Sequence, residues 1–248
     1  MLIKKLVPSP GYCRLTFRAP HIAEAAEPGQ FVMVHMPPEQ KYLLPRPLSV
    51  HLADRNNGTI TLLFEVKGTG TGLMSRALEG STWKMAGPLG RGFPVLPPHA
   101  LLVAGGIGIA PLIFLAASSE QPRTLLFGGR TASQLACLPE DLDLPNLTMF
   151  EVTEDGSRGQ KGLATDYLTE LLPSVPVLFA CGPRAMLAVV KELCLQAKVP
   201  AWFSVEERMA CGIGACVGCV VRTRQGYKRA CCDGPVFPAE EVLFHEQC

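Results

Sequence analysis

The 248-residue chain lacks an excess of either charge: 23 lysines and arginines stand against 22 aspartates and glutamates, a formal net charge of +1. That balance removes the electrostatic reason to expect a nucleic-acid partner. Charge is also sparse, at 18% of residues against 48% hydrophobic. Such a composition excludes a disordered chain and implies one large or two modest folded domains. No signal-peptide pattern is present, because "MLIKKLVPSPGY" has no continuous apolar stretch behind its two lysines. Residues Ala100 to Ala117 carry no charge, yet Gly105, Gly106, Gly108 and Pro111 interrupt them. They parse as strand, turn and buried helix rather than as a membrane span. The expected location is the cytoplasm, with no membrane contact. Internal repeats and low-complexity tracts are absent too.

Glycine (24), proline (22) and cysteine (10) are what the chain has in quantity. Ten cysteines in a cytoplasmic protein point to metal or redox chemistry before disulfides. Residues 1–95 read as mostly β, with alternating runs such as "GQFVMVHM" and "TITLLFEV" separated by "PPEQK" and "DRNNG". From residue 100 the rhythm changes. "ALLVAGG", "TLLFGG" and "VPVLFACGP" read as strands, and "APLIFLAASS", "ATDYLTELL" and "AMLAVVKELCLQAK" as helices. Alternating strands and helices imply a parallel, doubly wound sheet. "GPLGRGFPVLPP" (87–98) joins the two parts, and the last forty or so residues form a cysteine-bearing appendage.

In that appendage "MACGIGACVGCVVRTRQGYKRACCDGPVF" holds five of the ten cysteines. The spacing Cys211-x4-Cys216-x2-Cys219 matches the plant-type pattern for a [2Fe–2S] cluster. A loop around a cluster must turn tightly and aim backbone N–H groups at sulfur, and Gly212, Gly214 and Gly218 permit the backbone angles this needs. Arg208, Arg222, Arg224, Lys228 and Arg229 lie close in sequence to offset the negative charge of four thiolates. The alternative is a structural Zn(Cys)4 site, but such sites come as two short C-x2-C knuckles and only one is present. The fourth ligand is Cys231 or Cys232. Neighbouring side chains in extended backbone face opposite ways, so only one of them reaches the iron. Cys13, Cys137, Cys194 and Cys248 are scattered and read as packing or surface residues.

Two stretches suit a dinucleotide. "LLVAGGIGIAP" places Gly105, Gly106 and Gly108 in a turn after a strand, with Pro111 at a helix start. Glycines let backbone approach a pyrophosphate, and the helix N-terminus presents free N–H groups to it. "ACGPRAM" repeats the arrangement with Cys181, Gly182 and Pro183 at the carboxyl edge of a later strand; a lone buried cysteine is usually packing, but this position makes Cys181 the expected catalytic residue, in the site rather than in the core. In the β half, Arg46 of "RPLS" can fork onto a phosphate and Ser49 can bond a ring edge. Gly70 and Thr71 open a short helix in "KGTGTGLMSRAL". Taken singly, the arginine could be a surface residue and the glycine run a hairpin.

R-P-L-S, then G-G-I-G-I-A-P with C-G-P, then the cysteine loop resemble, in that order, the ferredoxin–NADP reductase superfamily. "EERMACGIGACVGCVV" and "YKRACCDGPVF" are similar to the electron-transfer subunits of NAD-dependent, two-subunit dihydroorotate dehydrogenases, and the similarity spans essentially the whole chain. The resemblance implies an FAD-binding β-barrel over 1–95, a Rossmann-like NAD-binding α/β domain over 96–205 and a [2Fe–2S] region over 206–248. It implies flavin contacts at Arg46, Pro47, Leu48 and Ser49, at Leu63, Phe64 and Glu65, and at Gly70 and Thr71. Some relatives carry a basic residue where Glu65 stands, so backbone contact fits better there. The family offset, a cysteine one residue before D-G-P-V-F, selects Cys231 as fourth ligand. NAD is the implied substrate, although Arg130 follows "LLFGG" where a 2′-phosphate could bind. The implied partner is an FMN-containing dihydroorotate dehydrogenase subunit, in a heterotetramer of two of each. No (β/α)8 domain fits in this chain, so the pyrimidine site belongs to that partner. The rival is a diaphorase subunit serving a hydrogenase or a ferredoxin.

Overall fold

A computed structural model describes residues 1–37, 44–138 and 144–244. Cys248, and all but the first residue of "PPEQK", lie outside the described residues. The first sheet comprises β1 (Leu2–Leu6), β2 (Tyr12–Arg18), β3 (Phe31–Val34), β4 (Arg46–Asp54), β5 (Thr59–Glu65) and β6 (Met85–Leu89). Its order is β1-β2-β5-β4-β3-β6, with every neighbouring pair antiparallel. Alternation sets its faces. Cys13, Leu15 and Phe17 of β2 are buried while Arg18 is exposed, and the inward residues meet Val32, Val50, Ile60 and Leu62 in one core. The Leu2 N–H donates to the Ser81 carbonyl at 2.8 Å and its carbonyl accepts from Gly80 at 2.7 Å. These bonds draw β1 to the chain entering β6 and close the sheet into a barrel. A short helix, α1 (Pro20–Ala25), starts on a proline, and α2 (Thr69–Ser75) follows the barrel's fifth strand.

The second sheet runs through β7 (Ala100–Gly105), β8 (Arg123–Gly129), β9 (Leu147–Thr153), β10 (Gln160–Lys161), β11 (Leu178–Cys181) and β12 (Ala201–Ser204). All of these are parallel, in the order β10-β9-β8-β7-β11-β12. Helices α3 (Ile109–Ala117), α4 (Ala132–Leu135), α5 (Leu168–Leu171) and α6 (Arg184–Ala197) cover it. Leu101 and Val103 of β7 enter the core on one face of the sheet, and Leu102 and Ala104 the core on the other. The uncharged stretch is therefore strand, glycine turn and the buried helix α3; among the described residues no helix is long and apolar enough to cross a membrane. "ATDYLTELL" departs from a single helix. It divides into a 3-10 turn (Ala164–Tyr167), α5 and a second 3-10 turn (Leu172–Ser174). Thr165 and Asp166 are weak helix formers, and Pro173 cannot continue the hydrogen-bond ladder.

The C-terminal segment does not stand apart. After the hairpin β13 (Val220–Thr223) and β14 (Gly226–Arg229), β15 (Val236–Pro238) pairs antiparallel with β12 and becomes the edge of the second sheet. Cys219, Val221, Cys231 and Phe237 share one core with Leu101, Val103 and Phe203. Lys191 of α6, 7% exposed, donates from Nζ to the Val242 carbonyl at 2.6 Å and ties this segment to the sheet's helical layer.

A polar pin joins the two halves. His51 of β4 is fully buried, and its Nδ1 lies 3.0 Å from the Ala110 carbonyl in α3. Facing a carbonyl, Nδ1 carries the hydrogen and donates it. Burial holds the imidazole pKa down to about 4, from an ordinary 6.5; the Ala110 carbonyl opposes the shift and Arg14 adds to it. A base depressed in the folded state binds fewer protons there. Its contribution to stability is complete above pH 6.5 and is lost as pH falls toward 4. Replacing His51 with asparagine, which keeps an amide donor, is expected to flatten that limb of the stability curve by on the order of 3 kcal/mol. Urea unfolding of both proteins across this window is the measurement; equal slopes would assign the pH dependence to other groups.

Candidate functional site

Strand order in the second sheet reverses between β7 and β11. At such a switch the loops leave in opposite directions and open a crevice at the carboxyl edge. The turns after both strands interlock there. A Cβ on Gly108 would overlap the Cys181 carbonyl and lie 2.7 Å from the Gly182 nitrogen, so only glycine permits this packing. The crevice is a cleft of about 560 Å³ walled by Gly105, Gly106, Gly108, Gly182 and Pro183. Arg130 and Glu154, the residues directly after β8 and β9, also line it. Pro111 is the third residue of α3, buried and away from the cleft wall. The Cys181 thiol is 1% exposed and stands behind Gly182 rather than in the wall. Burial raises its pKa, nearby Glu206 adds to the rise and a Ser204 hydrogen bond opposes it.

A second cleft, of about 230 Å³, lies between the barrel and α3. Pro47, Leu48 and Ser49 from β4 and Leu63, Phe64 and Glu65 from β5 form one side, with Thr71 beside them. These are side chains that sequence reasoning grouped, and the pairing of β4 with β5 is what brings them together. Arg46 and Gly70 stand next to the cleft rather than in its wall. The guanidinium lies on the glycine, with Cζ and Nη2 2.8 Å from where a Cβ would be, and Nη1 donates to the Leu44 carbonyl at 2.7 Å. The Thr71 hydroxyl accepts from the Lys67 and Gly68 N–H groups, each at 3.1 Å, and so shapes the loop. A largely apolar slot walled by two strands, with a guanidinium just outside it, suits a flavin ring and its phosphate chain.

The two clefts meet. Glu65, Lys67, Ile107 and Glu206 line both. Lys67 Nζ pairs with Glu65 at 2.9 Å. Glu206 is open to solvent by area, yet enough protein surrounds its carboxyl for burial to raise the pKa; Lys67 opposes that and Glu65 reinforces it. Sequence reasoning did not single out Lys67, Ile107 or Glu206. Glu206 was reachable, because it follows a strand whose carboxyl edge points at the crevice.

The cysteine loop has its sulfurs hydrogen-bonded by backbone. Cys211 Sγ accepts from the Cys216 and Ile213 N–H groups at 3.4 and 3.5 Å, Cys231 Sγ from Gly214 at 3.1 Å, and Cys219 Sγ from Cys231 at 3.4 Å. Gly212 and Gly214 have φ of +73° and +82°, which turn the loop back on itself. Backbone hydrogen bonds link the four residues two by two, Cys216 to the Cys211 sulfur and Cys231 to the Cys219 sulfur. A binuclear cluster takes two thiolates on each iron, so this donor set suits [2Fe–2S]. The Cys216 and Ile213 N–H groups bring Cys211 down to about 6, while burial pushes Cys231 up to about 12. Cys232 is half-buried, with its sulfur beside Gly214. Cys13, Cys137 and Cys194 sit in three separate apolar cores, where burial raises each thiol.

Residues 206–243 match the family described as the iron-sulfur cluster binding domain of dihydroorotate dehydrogenase B. Over 223 residues the chain is 41% identical to the dihydroorotate dehydrogenase B (NAD(+)) electron transfer subunit of Caldanaerobacter subterraneus subsp. tengcongensis, covering 88% of this chain and 87% of that protein. It is 36% identical over 247 residues to the subunit of the same name from Desulforamulus reducens, covering 95% and 94%. Among solved structures it is similar to a chain of an NADH-dependent reduced ferredoxin-NADP oxidoreductase (TM-score 0.88, 28% identity, 98% of this chain and 89% of that one). The ferredoxin reductase of carbazole 1,9a-dioxygenase shares the fold (TM-score 0.65, 20% identity, 82% and 67%).

Cys231→Ser is expected to abolish the cluster, and Cys232→Ser to leave iron, sulfide and visible absorption intact. The reverse pattern would make Cys232 the ligand. Arg46→Ala is expected to weaken FAD retention by on the order of 2–4 kcal/mol, the cost of losing an arginine–phosphate contact. Flavin content after gel filtration reads this out, and unchanged stoichiometry and affinity would reduce Arg46 to a loop residue.

Proposed function

The chain belongs to the family of dihydroorotate dehydrogenase B electron transfer subunits, and from that premise we propose that it passes electrons between a partner dehydrogenase and NAD+ through a [2Fe–2S] cluster and FAD. Together a flavin and an iron–sulfur cluster supply the exchange between hydride and single-electron transfer, which no side chain offers. The protein's part is to hold and tune. Cys211, Cys216, Cys219 and Cys231 hold the cluster, and the loop N–H groups stabilise charge on their sulfurs. The β4 and β5 residues Pro47 to Ser49 and Leu63 to Glu65 hold the flavin ring, with Arg46 and Gly70 at its phosphates. Gly105, Gly106, Gly108, Gly182 and Pro183 receive the NAD pyrophosphate. Ile107, a wall of both clefts, excludes water where the two rings meet.

One observation carries the reading: Met209, two residues before Cys211, lies in the wall of the flavin cleft. Cluster loop and flavin site are thus covalently and spatially adjacent. The far side of the loop is open. Ile213 is 66% and Val217 58% exposed, and Cys216 between them is exposed as well. Exposed apolar side chains around a redox centre suit a docking partner. That partner is an FMN-containing dihydroorotate dehydrogenase subunit holding the pyrimidine site, in a cytoplasmic heterotetramer of two of each. The TM-score of 0.88 to a ferredoxin-NADP oxidoreductase chain favours a second reading, in which the same parts serve another oxidoreductase complex. Identifying the protein that co-purifies separates the two.

The purified chain is expected to pass electrons from NADH to an artificial acceptor and to leave dihydroorotate untouched. Adding the partner should create dihydroorotate-dependent NAD+ reduction that neither shows alone. Cys219→Ser should abolish that coupled activity and spare much of the NADH-to-dye reaction. Coupling that survives loss of the cluster would overturn the proposed path.

A further inference from the structure

Glu65, Lys67, Ile107 and Glu206 line both clefts, and three of the four are charged. The inference here rests on the reading that the glycine-walled cleft takes NAD. A nicotinamide that exchanges hydride with a flavin must lie where the two clefts meet, so its ring is bounded by these residues. That ring changes charge in the reaction: NAD+ carries a cationic pyridinium, NADH a neutral dihydropyridine, and the rest of the molecule is unchanged. We propose that the Glu65–Lys67 ion pair, together with Glu206, reads the charge of the nicotinamide ring and makes the site prefer NAD+ over NADH.

Two carboxylates face one ammonium at this junction. The Glu65 side chain is 24% exposed and Lys67 70%, with 2.9 Å between their charged atoms. Glu206 is close enough for both to influence its carboxyl in opposite directions. The surplus carboxylate attracts a pyridinium and is indifferent to the neutral ring. A site so charged takes up NAD+ and releases NADH, which suits an electron path ending on NAD+. Any interaction of Lys67 with the rest of the dinucleotide is common to both forms and cancels in the ratio of their affinities.

The ratio is the test. The holoprotein, oxidised and carrying flavin and cluster, is titrated calorimetrically with NAD+ and with tetrahydro-NAD, whose ring is neutral and cannot give up hydride. Glu65→Gln should shift the ratio toward the neutral ring by about three- to tenfold, the size expected for one unit charge at a partly exposed site. Lys67→Gln should shift it by a similar factor toward NAD+. Only a charge mechanism predicts shifts of opposite sign, and Lys67 is exposed enough for its variant to fold. Ratios unchanged in both variants, or shifted in the same direction, overturn the proposal while leaving the NAD site in place. Failure of the wild-type protein to bind either dinucleotide overturns both.

Discussion

Gly212 lies so close to Met33 of the barrel that a Cβ there would sit 2.5 Å from the methionine Cγ, with Leu89 Cδ1 at 3.3 Å. The electron path depends on this approach, because transfer between redox centres weakens steeply with separation. Met33 pairs with Pro47 on the neighbouring strand, and Pro47 is in the wall of the second cleft. The cysteine loop therefore packs directly on β3, and the strand beside β3 in the same sheet walls the second cleft. Any larger residue at position 212 would either widen that stack or clash at a φ of +73° that side chains avoid. From the other side the segment is fixed by β15 on β12 and by Lys191 on the Val242 carbonyl. A buried lysine is costly unless its ammonium is hydrogen-bonded, so that bond also holds the segment in register.

The same economy governs the nucleotide sites. Neither half of the molecule encloses a complete one. The cleft proposed for the flavin needs β4 and β5 from the barrel, Ile107 and Ala110 from the α/β half, and Ser204 at the end of β12 with Val205, Glu206, Glu207 and Met209 after it. His51, two residues beyond Ser49 of the cleft wall, crosses this seam to bond the carbonyl of Ala110, which lines the same cleft from the other half. A neutral, buried donor suits that place, since an imidazolium there would be strongly disfavoured.

Fold class was legible because its signals are local. Alternation in "TITLLFEV", a glycine turn after "LLVAGG" and the cysteine spacing each depend on neighbours in sequence. What escaped were properties of long-range contact. No periodicity announces that β15 joins the sheet begun at β7, or that Lys67 and Glu206, far apart in the chain, border the same two clefts. Cys181 shows the limit within a motif: the strand-end rule located its backbone beside the crevice, whereas packing under Gly182 set the thiol's exposure.

Charge near the cluster follows a different logic from a count of basic residues. Arg208, Arg222 and Arg224 are exposed, but Lys228 is bound to Glu241 at 2.8 Å and Arg229 to Asp233 at 3.4 Å. Those two cations arrive already paired, and partly exposed pairs are screened by solvent. The N–H groups of Ile213, Gly214, Cys216 and Cys231 point at sulfur instead, at 3.1–3.5 Å. They are dipoles fixed by the fold, need no reorganisation when the electron count changes, and carry no counter-charge. Arg229 contributes by another route, donating to the Gly214 carbonyl at 3.1 Å and so helping to fix the glycine whose own N–H meets Cys231. The fold thus tunes the cluster mainly through backbone geometry, and the cations nearest to it serve to hold that geometry still.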